Sequence, residues 1–476
     1  MTSEHFINDS ASVPTDWTVK QLIDCTEDKL ISYGIVQPGQ HVENGIPILR
    51  VNNFRNGQLD LNDVLKVAPE IANKYKRTTL KGGEVLLTLV GSTGQSVVAP
   101  NDLAGWNVPR AIAVIRPQTE IGSNWINICL QSQAAKHFLD VRANTTVQKT
   151  LNLKDVRELP IVLPPRDVRR SIEAIDTSLN EKIQINRQIN QTLEQMAQAI
   201  FKSWFVDFEP VKAKIAALEA GGSEEDALLA AMQAISGKSE AELTRLQAEQ
   251  PEQYAELRAT AELFPSAMQD SELGEIPEGW IYGTLSDLAD FSSNRISKDE
   301  LSLETYISTE NMLENRKGVC TASSLPSSAS VPSFESGEIL ISNIRPYFKK
   351  IWLANKSGGR SPDVLGFTCR HKGTNEYLFN LLYQDDFFEY MMLTSKGAKM
   401  PRGDKKAIMQ FGSVIPPIGL MKYFSERVKP FYVLATSQTR ESESLESLRD
   451  TLLPKLLSGE LSVSATEDQL AEPANV

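Results

Sequence analysis

VLPPRDVRRSIEAID, residues 162–176, opens a long helical pattern with a pair of prolines, and VIPPIGLMKYFSERV, residues 414–428, does so again. Proline has no N–H to give a helix interior, and it pushes the residue before it into an extended conformation. Each joint therefore reads as a strand or extended segment ending at the prolines, with a helix starting just after them. A joint built twice calls for a search for an internal repeat.

Aligning Pro164 with Pro416 sets an offset of 252. At that offset Trp125 falls on Tyr377, Ile126 on Leu378, Leu130 on Leu382, Phe138 on Tyr390 and Leu139 on Met391. Downstream, Ile172 falls on Phe424, Leu179 on Phe431, Leu193 on Leu445, Met196 on Leu448 and Ile200 on Leu452. Apolar class is kept where identity is not. Farther upstream the offset drifts: KGGEVLL at 81–87 resembles ESGEILI at 335–341, and VPTDWTVKQLID at 13–24 resembles IPEGWIYGTLSD at 276–287. The order is the same in both halves: P-x-x-W, a strand, an apolar helix, the PP joint and a long helix. The chain reads as a duplication.

Each long helix covers about 38 residues, roughly 57 Å at 1.5 Å per residue. In the first, Ile172, Ile175, Leu179, Ile189, Leu193, Met196 and Ile200 fall at spacings of three and four, a coiled-coil seam with Lys182 and Asn186 interrupting it. In the second, Phe424, Phe431, Leu434, Leu445, Leu448 and Leu452 hold the matching places, with Gln438 and Glu441 interrupting. An apolar stripe this long needs a partner. The two helices pair with each other, antiparallel if their domains lie at opposite ends, or each packs on its own domain; the first arrangement is the expectation.

The expected segments are an N-terminal tail, 1–13; a first domain, 14–165; a long helix, 166–205; an acidic helical connector, 206–275; a second domain, 276–417; a second long helix, 418–461; and a disordered tail, 462–476. The fold class is α+β: two pseudo-symmetric α/β domains joined by two long antiparallel coiled-coil helices. The connector, broken at Gly221–Gly222 and at Pro251, reads as a solvated spacer, with a docking surface for another protein as the alternative.

The net charge of −12 argues at first against a nucleic-acid partner. Its distribution says otherwise. Residues 206–275 hold 5 Lys/Arg and 15 Asp/Glu, whereas 14–160 hold 16 against 14 and 276–416 hold 16 against 16. The two domains are thus free to present local basic faces. Four scattered cysteines with no CxxC pair argue against a disulfide framework or a zinc site and fit a reducing cytoplasm. Cys369 and His371 are the only pair suggestive of a metal. No apolar run reaches membrane-spanning length, and residues 1–13 do not read as a signal peptide.

A search for catalytic apparatus finds little. There is no phosphate loop of the G-x-x-x-x-G-K-[ST] type, no G-x-S-x-G elbow and no H-E-x-x-H. GSTGQS at 91–96 lacks the lysine of a phosphate loop and reads as a turn carrying hydroxyl and amide groups. Pro362-Asp363 with Asp404-Lys405-Lys406 formally matches a nuclease pattern, weakly. What remains suits DNA contact: basic groups for phosphates, and Arg, Asn, Gln, Ser and Thr for base edges. The candidates are Lys74, Lys76, Arg77, Lys81, Ser92, Thr93, Gln95 and Arg110 in the first domain. In the second they are Arg345, Tyr347, Lys349, Lys350, Lys356, Arg360, Lys399 and Arg402. RVNNFRNGQ at 50–58 is similarly polar. No catalytic residue and no metal ligand is expected.

The chain resembles the specificity subunits of Type I restriction–modification systems. The resemblance is carried by P-x-x-W at 14–17 and 277–280, GIPILRVNNFRNGQLD at 45–60, KGGEVLLTLVGSTGQ at 81–95, LNLKDVRELPIVLPP at 151–165, FKSWFVDFEP at 201–210 and LLPKLLSGEL at 452–461. It departs after the proline pairs, where members usually have Glu-Gln and this chain has RDVRR and IGLMK. The resemblance implies two target recognition domains, each reading half of a split asymmetric site on double-stranded DNA, with the coiled coil as a ruler. It implies two modification subunits carrying S-adenosylmethionine, and restriction subunits using ATP and Mg, while this chain binds no cofactor and does no chemistry. The alternative is a self-contained DNA methyltransferase or nuclease with a duplicated DNA-binding region.

Overall fold

The computed structural model describes residues 14–55, 57–143, 149–272, 274–397 and 399–463. The N-terminal tail, 1–13, and residues 464–476 of the C-terminal tail lie outside the described residues. The chain divides into two units, residues 1–185 with 441–476, and residues 186–440.

The first unit is built on a four-stranded antiparallel sheet with the spatial order Thr26–Tyr33, Ile112–Pro117, Val85–Thr88, Ser96–Val98. Side chains alternate across a strand. Val85 and Leu87 therefore face a core with Trp125, Ile126, Leu130 and Phe138 of the helices Ser123–Gln131 and Gln133–Arg142. Leu86 faces the opposite way, into a second core with Leu49, Phe54, Leu80 and Val108. The strand before the first proline pair, Pro160–Leu163, lies antiparallel to Thr18–Gln21, just after the first P-x-x-W. Trp125 is fully buried and its indole N–H donates to the Val162 carbonyl at 2.9 Å, tying the helix layer to the joint.

The second unit repeats this plan. Its sheet has the order Ala289–Phe291, Val364–Cys369, Ile339–Ser342, Ile351–Leu353, again all antiparallel. Ile339 and Ile341 face a core with Tyr377 and Leu378 of the helix Asn375–Tyr383, while Leu340 faces Met312 and Phe334. Its joint strand, Gly412–Ile415, lies antiparallel to Ile281–Thr284. The units differ in the region where the sequence offset drifts. The second carries an additional four-stranded sheet of 295–297, 330–334, 358–360 and 306–307, with one parallel pair. The first has short hairpins there instead.

Both helices after the proline pairs are long, Arg166–Phe205 and Ile418–Ser458, the second continuing through Pro430 and Pro454. Each unit holds a stretch of both. In the first unit Ile172 shares a core with Leu456, Arg449 donates to Asn180 at 2.9 Å, and Lys182 pairs with Glu441 at 3.4 Å. In the second, Asn190 donates to Thr439 at 3.0 Å, Phe201 meets Phe424 at 5.7 Å and Trp204 meets Tyr423 at 6.4 Å. Numbers rise along one helix as they fall along the other, so within each unit the helices run antiparallel.

The seam differs from the expected one. Its inward positions on the first helix are Ile172, Asp176, Leu179, Ile183, Asn186, Asn190, Leu193, Ala197 and Phe201. On the second they are Phe424, Val428, Phe431, Ala435, Gln438, Ser442, Leu445, Arg449, Leu452 and Leu456. Ile172, Leu179, Leu193, Phe424, Phe431, Leu445 and Leu452 are among these inward positions. Met196 and Leu448 are not, being 45% and 37% exposed, and Leu434 is likewise exposed. Ile175, Ile189 and Ile200 flank the seam, half-buried. The cause is compositional: the inward position is polar beside Leu448, Ile175 and Ile189 (Arg449, Asp176, Asn190) and a small alanine beside Met196 and Leu434 (Ala197, Ala435), so a reading by apolarity picks the neighbouring edge.

Residues 206–275 form packed helices rather than a solvated spacer: Glu209–Glu219, Glu224–Ser236, Glu240–Glu249 and Pro251–Glu262. Ser223 and Ser239 cap two of them reciprocally with Asp226 and Glu242, and Pro251 occupies the first turn of another. Leu228, Ala231, Met232, Leu243 and Ala261 make their own small core. Within the segment buried Lys214 donates to the Phe264 carbonyl at 2.6 Å, and the Arg427–Glu256 pair at 2.9 Å fastens it to the second long helix.

Candidate nucleic-acid interface

In the first unit the strand Thr26–Tyr33 and the helical turn Asn73–Thr78 enclose an open cleft of about 650 Å³ lined by Ser32, Tyr33, Lys74, Lys76, Arg77 and Arg157. The turn is held to the sheet by Arg116, which donates to the carbonyls of Arg77 at 2.8 Å and Thr79 at 3.0 Å and pairs with buried Glu84 at 3.3 Å. With its backbone anchored in this way, the turn leaves Lys74, Lys76 and Arg77 exposed. Arg110 joins them at the strand end, its guanidinium 5.9 Å from the centre of the exposed Tyr33 ring. Cations flanking an exposed aromatic suit a nucleic-acid backbone with a base or sugar beside it.

Ser92, Thr93 and Gln95 sit at the same sheet end, in the turn after Val85–Thr88. The Thr88 hydroxyl donates to the Ser92 carbonyl at 2.5 Å and accepts from the Gln95 N–H at 3.0 Å. Gly91 and Gly94 have φ of 80° and 82°, which a side chain would oppose. The Gly91 N–H donates to the Lys149 carbonyl at 3.2 Å. Lys81 lies at the other end of this strand, its N–H donating to Glu84 at 2.8 Å. Arg50 and Asn53 of the polar stretch are used locally: Arg50 pairs with Asp63 at 2.6 Å, and the buried Asn53 amide donates to the carbonyls of Asp60 and Asp63.

The corresponding turn of the second unit, Asn343–Lys350, brings two distant basic stretches together. Ile344 bridges to Arg402, and the Arg345 N–H donates to the Pro401 carbonyl at 2.8 Å. Arg345, Tyr347, Lys399 and Arg402 are all exposed there. Arg402 pairs with Asp363 at 2.8 Å. Lys349 pairs with Asp385 at 2.6 Å, and Lys350 donates to the Thr309 carbonyl at 2.8 Å. Lys356 is at the far end of the hairpin, where neighbouring Asn355 donates to Thr436 at 3.4 Å.

Arg360 does not fit a DNA-contacting role. It is 5% exposed and donates to the carbonyls of Val364 at 2.6 Å and Ser292 at 2.7 Å, and burial lowers its proton affinity while Glu338 opposes that shift. A sequence shows an arginine; it does not show that a strand carries it inward. The formal nuclease acids are also engaged, Asp363 with Arg402 and Asp404 with Lys396 at 2.6 Å, the latter also accepting from the Lys406 and Ala407 N–H groups. Among the described residues no group of three or more His, Cys, Asp or Glu is placed to hold a metal. None of their helices is long and apolar enough to cross a membrane. Tyr33, Arg157, Arg316 and Asp385 belong to these regions and were not singled out from sequence. The run Asn315-Arg316-Lys317-Gly318 is the one usable signal, as a turn.

Residues 15–195 match the family described as the Type I restriction modification DNA specificity domain. Over 411 residues, 82% of this chain and 89% of the relative, the chain is 29% identical to the Type I restriction enzyme HindI specificity subunit of Haemophilus influenzae. Along most of its length the chain is similar to Type I specificity subunits. A 31% identical match to the EcoBI specificity subunit of Escherichia coli spans 39% of each protein. The crystal structure of a Type I restriction–modification S subunit from M. genitalium covers 93% of this chain and 96% of its own at a TM-score of 0.46 and 13% identity. The turn after the central strand recurs in both repeats, polar in the first (Ser92, Thr93, Gln95) and basic in the second (Arg345, Lys349, Lys350).

Proposed function

We propose that this protein is the DNA-reading subunit of a Type I restriction–modification complex, each unit reading one half of a bipartite, asymmetric site. The observation that carries this reading is the repeated position of a surface turn, polar in the first unit and basic in the second. It follows the central strand in both units, after Thr88 and after Ser342, beside the segment that leads to the joint strand. Lys74, Lys76, Arg77 and Arg110 contact phosphates in the first unit, with Ser92, Thr93 and Gln95 placed for base edges. Arg345, Tyr347, Lys399 and Arg402 take these roles in the second. The paired helices set the spacing between half-sites. Methylation, with S-adenosylmethionine, and ATP- and Mg-dependent cleavage belong to two modification subunits and to restriction subunits, and this chain is not catalytic.

Methylation mapping in cells carrying the complex is expected to return two short unlike half-sites with an unspecified spacer. One continuous palindrome would overturn the proposal. Methyl transfer by the purified chain alone would favour the self-contained enzyme, a reading that nothing in the comparisons supports.

A further inference from the structure

We propose that Arg316 and Asp385 are positioning residues, a clamp that fixes how the turn Arg345–Lys349 presents Arg345 and Tyr347 to DNA; this rests on the reading of that turn as DNA-facing. The turn is conformationally costly. Arg345 and Lys349 have φ of 51° and 49°, and the facing loop has Asn315 and Arg316 at 56° and 62°. Residues with side chains rarely adopt this region, and such outliers persist only where the surroundings over-determine them.

The surroundings here are specific. The Asn315 N–H donates to the Phe348 carbonyl at 2.8 Å and the Arg316 N–H to the Lys349 carbonyl at 2.9 Å, so the two strained loops are zipped together. Asp385 then accepts from both cations that the loops carry inward, Arg316 and, at 2.6 Å, Lys349. Hydrogen bonding from Arg316, and then from Lys349, holds the Asp385 carboxyl below its ordinary range, so it stays ionised. The Arg316 Nε–H donates to the Tyr383 carbonyl at 2.8 Å, with the guanidinium 4.7 Å from the Tyr383 ring and 5.4 Å from that of Phe388. A planar fork can make these contacts together; an ammonium cannot. Tyr383 is in turn hydrogen-bonded to Glu194 on the first long helix, a carboxyl raised by burial against the lowering effects of Tyr383 and Arg316. The clamp is thus footed on the rigid part of its own unit. It consumes Arg316 and Lys349 and leaves Arg345 and Tyr347 outward. The first unit holds its turn differently, through the Thr88 hydroxyl.

The test uses the full chain assembled with its modification subunits, and competition binding to three duplexes: the mapped site, the site with one half scrambled, and a non-specific sequence, each across a salt series. Arg345→Ala identifies the half-site read by this turn, as the one whose discrimination falls together with the salt slope. Arg316→Ala and Asp385→Asn are expected to lower discrimination of that half-site at least tenfold. Non-specific affinity, the salt slope and discrimination of the other half-site should stay at wild-type values, because no phosphate contact is removed. Arg316→Lys should fall between. Unchanged discrimination in Arg316→Ala, or an equal loss on specific and non-specific DNA, overturns the clamp. If Arg316→Ala does not fold, Lys349→Met, which frees one arm of Asp385, decides: a partial loss at that half-site alone is expected, and none overturns the proposal. A wild-type complex that ignores both half-sites overturns the underlying DNA reading instead.

Discussion

Asn190 donates to the Thr439 hydroxyl at 3.0 Å, and one turn away the buried Asn186 amide reaches the Gln438 carbonyl at 3.5 Å. The helix pair of the second unit thus carries a polar layer between apolar contacts. Apolar side chains pair in many registers, whereas a buried amide is satisfied in few, so such a layer specifies register at a cost in stability. Asn186→Leu combined with Gln438→Leu should raise the melting temperature and loosen the register. Disulfide trapping between Asn190→Cys and cysteines placed along the second helix checks this. The parent is expected to trap with Thr439→Cys, and the leucine variant also with positions a heptad away; trapping at Thr439→Cys alone in both would refute it.

Phe424 is fully buried, with Phe201, Phe205, Trp204 and Tyr377 rings between 5.3 and 6.4 Å away. Phe424→Ala removes a side chain from a site that many rigid rings cannot collapse to fill, at a cost of about 3–5 kcal/mol. Phe424→Leu, which keeps most of the volume, should cost well under half of that. Denaturant unfolding of the two variants against the parent measures the difference.

The duplication was legible because core-facing apolar class survives divergence: Val85–Leu87 and Ile339–Ile341 occupy matching strands, and both proline pairs end a strand and start a helix. The seam was legible only in part. Apolarity marks a stripe, but which edge of it turns inward is decided by the partner, and here Asp176, Asn190 and Arg449 occupy inward places that the sequence presents as surface. The interface was harder still. Lys74, Lys76 and Arg77 stay outward because Arg116 and Glu84 hold the backbone beneath them, a long-range arrangement with no sequence signature. Arg360, of the same chemical type, is drawn inward by Ser292, 68 residues away in the chain.

Asp176 gives a pH prediction. It is 8% exposed in the seam of the first unit; burial raises its pKa, and Arg449 and Asn180 oppose that only partly. A carboxyl whose folded pKa is raised favours folding in its protonated form. Its contribution is full below the unfolded value of about 3.9 and is lost as pH rises through the folded value. Asp176→Asn, neutral at every pH, should therefore raise the melting temperature at pH 7 and lose that advantage below about pH 4. Melting curves across this range test it, and a gain confined to acid would contradict the sign.

The cleft beside Tyr33 makes a prediction about salt. A protein that neutralises phosphates releases counterions, and the logarithm of its affinity falls with the logarithm of salt concentration by about 0.9 per contact on duplex DNA. Lys76 and Arg77 are exposed on a turn whose backbone is fixed from beneath by Arg116, so removing their side chains leaves the turn in place. Lys76→Ala with Arg77→Ala should lower the slope by about 1.8, and should weaken specific and non-specific duplexes alike, since phosphates carry no sequence. Lys356→Ala is the matched control, because Lys356 lies at the opposite end of its hairpin from the exposed turn. It removes one positive charge where the double variant removes two, and should leave the slope as it was. A slope that falls equally per charge removed in both variants would mean that net charge, and not the cleft, governs binding. A slope unchanged in the double variant would remove the helical turn Asn73–Thr78 from the DNA-contacting surface.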